Sequence, residues 1–234
     1  MFYIDPLYII LVMPAVIFSI IASAMVNSTF NKYSKVRSRR GITGAEAARR
    51  VLDANGLYHV KIERIQGNLT DHYDPRANVI RLSDSTYDNP STAAIGVAAH
   101  EAGHAVQHAV GYLPIKLRSS IIPATNLGAK LSMPLFLLGI VLSTYGSQFI
   151  YLAYAGVICF SLSTLFQLVT LPTEFNASRR ALAAIDQYGL LDREEIGQTK
   201  KVLTAAAMTY VAALAVSLLS LLRLLLIVQG RDRR

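Results

Sequence analysis

Apolar residues run almost unbroken over four stretches of the 234-residue chain, about 7–27, 119–142, 148–171 and 205–228. Each approaches the roughly 20 residues that cross a bilayer as a helix. The third is the cleanest. The second carries Pro123, Lys130 and Pro134 and the fourth carries Arg223, so both are candidates for broken, tilted or re-entrant segments. Between the first and second stretches the pattern changes. Thr43-Gly-Ala-Glu46 forms a capping box for a helix to about Ala54, with Gly56 placed to end it and Ala47, Ala48, Val51 and Leu52 on one face. Val60–Ile65 and Asn78–Ser83 read as short strands separated by a polar loop, Asp71-His-Tyr-Asp-Pro75. Asn89-Pro90 can cap and start a helix reaching Gly111, and Pro172 can open another that ends near Tyr188, before Gly189.

Composition agrees with a membrane protein carrying one modest polar region: 53% of residues are hydrophobic and 16% charged. The net charge of +8 admits a nucleic-acid partner, but the positions of the charges argue against one. Thirteen of 23 Lys and Arg lie between the first two stretches and five between the third and fourth. The positive-inside rule puts both regions in the cytoplasm and conflicts only with Arg231, Arg233 and Arg234, which follow the fourth stretch. Ala22-Ser-Ala24 resembles a signal-cleavage site, yet the basic residues follow the first apolar run instead of preceding it, as in an uncleaved anchor. The lone Cys159 excludes a disulfide framework and a cysteine zinc cage.

The chemistry concentrates at His100-Glu-Ala-Gly-His104. Residues four apart on a helix share a face, so His100 and His104 can present imidazole nitrogens to one metal ion while Glu101, about 100° round, reaches water held there. Zinc bound this way acidifies that water, and Glu101 is placed to take its proton during attack on a peptide carbonyl. A metal also accounts for polar residues on an otherwise Ala/Val/Ile helix; the bland alternative is a solvated polar stripe. For a third ligand, His108 is one turn farther on, but it lies about 12 Å from His100 along a straight helix. A packing or supporting role suits it better. Glu174 is the stronger choice, with Ser178 and Ala181 on its face as small neighbours that permit close helix packing. Its alternative is a carboxylate that merely complements a helix dipole.

These segments, with Asp71–Pro75, Glu174-Phe-Asn-Ala-Ser-Arg-Arg-Ala181, the anchor and the apolar hairpin, resemble the YugP-like neutral zinc metallopeptidases of bacterial membranes and, more distantly, the HtpX-like peptidases. The resemblance implies one catalytic Zn2+ held by His100, His104 and Glu174, Glu101 as general base, and a membrane hairpin separating the two halves of the site. It also exposes a departure: Ser178 stands where the HtpX-like pattern has Asp, giving a ligand His a weaker, uncharged partner. Ser178, His108, His72 and Asn176 are the candidates for supporting a ligand or touching substrate. His72 is equally a turn residue. Asn78, Val79, Ile80, Arg81 and Leu82 either form an edge strand that aligns an extended peptide or an ordinary core strand. Arg179 and Arg180 suit an anchor facing anionic lipid.

The expectation is a mainly α membrane protein of about four transmembrane helices with a small α+β zincin-like peptidase domain facing the cytoplasm at a bacterial plasma membrane. Its parts are an anchor (1–28), a peptidase domain (29–118), a hairpin (119–171), a third-ligand region (172–204) and a last membrane segment with a basic tail (205–234). Its partners are a protein or peptide substrate and membrane lipid. An intramembrane protease, cutting inside helices, and a non-enzymatic zinc scaffold or a transporter using Lys130 and Arg223 are the competing readings.

Overall fold

A computed structural model describes residues 5–232, so Arg233 and Arg234 of the basic tail lie outside the described residues. The elements in chain order are α1 (Met13–Tyr33, entered through a π-helical turn at Tyr8–Val12), α2 (Gly44–Ala54), β1 (Lys61–Ile65), β2 (His72–Asp74), β3 (Val79–Ser83), α3 (Thr92–Ala109), α4 (Leu113–Leu142), α5 (Ile150–Gln187) and α6 (Arg193–Asp232). The chain is mainly helical, and among the described residues four helices are long and apolar enough to cross a membrane: Tyr8–Tyr33, Leu113–Leu142, Ser147–Gln187 and Arg193–Asp232.

None of three prolines interrupts its helix. Pro123 and Pro134 lie inside α4, and Pro172 lies inside α5 instead of opening a new helix. A proline removes one backbone donor and disturbs one turn. In helices of 30 and 38 residues the remaining backbone bonds hold the segment together.

The described residues divide into two compact units, the first drawn from those up to Ile21, Leu117–Leu171 and those from Thr209 on, and the second from Ala22–Lys116 and Pro172–Met208. In the first, Phe136, Ile150, Val157, Leu224 and Val228 form a buried cluster. A Cβ on Gly156 would stand 2.6 Å from the Ser132 carbonyl oxygen, so glycine is what lets α4 and α5 approach here. Arg223, anomalous in an apolar run, donates from Nε to Asp5 Oδ2 at 2.7 Å and lies over the Tyr8 ring. The pair neutralises a charge that is otherwise costly in such a helix.

In the second unit the capping box forms as expected: Thr43 Oγ1 accepts from Glu46 N, Glu46 Oε2 accepts from Thr43 N, and Gly56 follows with φ +72°. The cap of α3 differs from expectation. Ser91, not Asn89, accepts from Ala94 N and starts the helix at Thr92. The sheet order is β1-β3-β2, with β3 parallel to β1 and antiparallel to β2. One expectation is corrected here and one pair of alternatives is decided. The Asp71–Pro75 segment is not wholly loop, because His72–Asp74 pairs with β3 while Tyr73 packs against the core. Asn78–Leu82 offers no free edge either, since Val79–Ser83 is the central strand, paired on both sides. The reason is local: Asp74 Oδ1 accepts from Arg76 N and Ala77 N, Asn78 turns with φ +51°, and Asp74 then meets Arg81 at 2.9 Å. That tight reversal lays β2 along one side of β3. Leu52, Ile80, Leu82, Ile95 and Ile185 fill the core against which α3 is held.

Candidate metal centre

Helix α3 carries His100 and His104, and α5 carries Glu174 two residues past Pro172. The two helices meet at Gly103, where an added Cβ would stand 2.9 Å from the carbonyl oxygen of Ala177. Any side chain there would separate the helices. Ala177 and Ala181 are fully buried, in keeping with close packing of small residues.

The approach brings Glu174 Oε2 to 3.3 Å from His100 Nε2 and 3.5 Å from His104 Nε2. One ligand atom from each of the three residues lies within 4.8 Å of the others, and this is the one such group of His, Cys, Asp or Glu among the described residues. Four-coordinate zinc with bonds of about 2.0–2.1 Å sets its ligand atoms about 3.3–3.4 Å apart. The donor set and its spacing therefore fit zinc.

Hydrogen bonds orient both rings. Gln107, fully buried, donates from Nε2 to the Thr173 carbonyl at 2.8 Å and to Asn176 Oδ1 at 3.0 Å, which turns its own Oε1 towards His104 Nδ1 at 3.0 Å. Arg180 Nε donates to the same Asn176 oxygen at 2.8 Å. Since Gln107 Oε1 can only accept, His104 carries its proton on Nδ1. The neutral ring then directs an Nε2 lone pair at a carboxylate oxygen, an arrangement that calls for a cation or a proton between them. His100 Nδ1 is 3.1 Å from Ser178 Oγ, which can either donate or accept. Burial disfavours the imidazolium of His104, but the carboxylates of Glu174 and Glu101 outweigh it and raise the pKa above 6.5.

Glu101 is 8% exposed, and no described residue hydrogen-bonds its carboxylate. Asn176 sits in the orienting network. His108 lies outside the donor group and stacks obliquely on Tyr73, with ring centroids 5.5 Å apart. His72 is exposed on β2 and donates from Nδ1 to the Thr70 carbonyl. Gln107 was missed. A glutamine three residues after His104 on an Ala/Val helix was nevertheless a visible signal, because a buried amide needs partners.

The profile of a family described as "Putative neutral zinc metallopeptidase" matches residues 8–229. The chain belongs to this family. A relative from Bacillus subtilis (strain 168), named "Putative membrane protease YugP", is 48% identical over 227 residues, spanning 97% of this chain and 99% of its own length. No solved structure matches. As a member of the zinc metallopeptidase family with four membrane-length helices, the chain is a membrane protein whose His100, His104 and Glu174 cluster is compatible with the family's metal.

Proposed function

We propose that the chain hydrolyses peptide bonds in membrane or membrane-proximal proteins at the cytoplasmic face, with one zinc ion held by His100, His104 and Glu174. The observation that carries this reading is the convergence of two imidazole Nε2 atoms on one Glu174 oxygen, at 3.3 and 3.5 Å. Zinc, when bound, supplies Lewis-acid polarisation of the scissile carbonyl and lowers the pKa of the attacking water. Glu101 accepts the proton of that water and delivers it to the departing amine nitrogen. No described residue hydrogen-bonds its carboxylate, which leaves both oxygens available for this. Gln107 and Ser178 hold the rings of His104 and His100 so that the Nε2 lone pairs stay directed inward. The basic regions between the apolar stretches support a cytoplasmic site.

The test is to measure zinc content and casein cleavage for detergent-purified wild type, Glu101→Gln and Glu174→Ala. The expected result is one zinc per chain in wild type, zinc retained with turnover reduced about 10²–10⁴-fold in Glu101→Gln, and zinc lost in Glu174→Ala. Cleavage undiminished in Glu101→Gln would overturn the base assignment, and full zinc in Glu174→Ala would overturn the ligand set.

A further inference from the structure

Away from the metal centre, the last turns of α1 and the first turns of α6 enclose a groove of about 630 Å³. Lys32, Lys200 and Lys201 line it, and no Asp or Glu does. None of the three lysines has a salt bridge among the described residues; Lys32 only lies over the Tyr33 ring, 5.4 Å from its centroid. Four arginines elsewhere in this unit, Arg39, Arg49, Arg64 and Arg81, are each paired with an acid. Three ammonium groups around one groove, with no salt bridge among the described residues, concentrate positive potential there.

The groove is also placed for an amphiphile. Lys32 ends the apolar run of α1, whereas Lys200 and Lys201 immediately precede that of α6, so all three mark the level at which membrane-length helices turn polar. Its walls continue into those runs through Met25, about 10 Å along α1 from Lys32, and through Ala205. Gly197 lines it as well. A glycine inside a helix weakens it relative to alanine. No packing contact explains this one, because a Cβ there would meet nothing within 4 Å. What it leaves is room.

We infer that this groove binds an anionic phospholipid, the phosphate between the three lysines and the start of an acyl chain along Met25 and Ala205. Phosphate supplies a counter-charge, and the apolar wall favours a lipid over inorganic phosphate. This inference rests on the membrane setting alone and is independent of the peptidase reading.

The experiment uses full-length protein in dodecylmaltoside, titrated with dioctanoyl phosphatidylglycerol or dioctanoyl phosphatidylcholine, with bound lipid counted by native mass spectrometry. Each lysine near an anionic headgroup is worth about fivefold in affinity. Wild type is expected to prefer phosphatidylglycerol by at least about tenfold, and Lys32→Gln/Lys200→Gln/Lys201→Gln to lose that preference. Gly197→Leu, which keeps every charge and fills the groove, is expected to weaken phosphatidylglycerol binding to a similar extent. Helical circular dichroism and a thermal unfolding midpoint equal to wild type verify that each variant is folded. Equal binding of the two lipids by wild type, or an undiminished preference in either variant, would overturn the proposal. So would inorganic phosphate displacing the lipid at equal concentration, since the site would then be one for the bare anion.

Discussion

Gly103 and Ala177 touch backbone to backbone: a Cβ on Gly103 would stand 2.9 Å from the Ala177 carbonyl oxygen, one residue before His104 and three after Glu174 in their respective helices. Gly103→Ala must push α5 away by several tenths of an ångström. Glu174 then leaves the imidazoles before the core gives way. We expect zinc affinity to fall at least about tenfold, as for other disturbances beside a metal ligand. Chelator competition against wild type checks this, and unchanged affinity would mean that α5 shifts without moving Glu174.

Gln107 fixes the proton of His104 on Nδ1 only because its own amide is fixed by Thr173 and Asn176. Gln107→Leu preserves the approximate volume and removes the acceptor. Zinc affinity should drop about 10–100-fold. Cobalt-substituted protein should show an altered d–d absorption spectrum, a readout that simple loss of packing would leave unmoved.

On the proposed ligand set, zinc uptake is linked to protons through His104, whose pKa is raised. Its ionised form is favoured by folding, so this stabilisation is present below pH 6.5 and is lost as pH rises through the raised value. Zinc requires the neutral ring. Its apparent affinity should therefore weaken by about tenfold per pH unit below the raised pKa, measured by competition titrations on either side of neutrality. A pH-independent affinity would be inconsistent with His104 as a ligand.

Asp5 and Arg223 are 218 residues apart in sequence and joined by a 2.7 Å hydrogen bond. Asp5→Asn leaves the guanidinium without its counter-charge and should destabilise the protein by about 2 kcal/mol, less than for a fully buried pair. Arg223→Leu added to Asp5→Asn should restore most of the loss, read as a double-mutant cycle in thermal unfolding. Additive losses would mean that the pair is not coupled.

The four apolar stretches, the capped helix at Thr43 and the His-Glu-x-x-His helix were legible because each depends on local periodicity and local hydrogen bonding. Long apolar helices satisfy their own backbone, so their existence needs no partner. Histidines four residues apart share a face in any straight helix. The break expected at Pro172 was not borne out because the residues on either side of a proline determine whether a helix survives it, and here they are long helical runs.

What the sequence by itself determined was therefore the class of protein, its membrane-length segments and the two histidines with their adjacent glutamate. Tertiary structure decided the rest. The distance from Glu174 to those histidines depends on how closely α5 packs on α3, and Gly103 sets that distance, although His100 and Glu174 are 74 positions apart in sequence. Likewise, the central place of β3 depends on which strands pair, and the proton position on His104 depends on an amide held by the opposite helix. No periodicity along the chain encodes these, because each is a contact between residues whose separation in sequence carries no information about their separation in space.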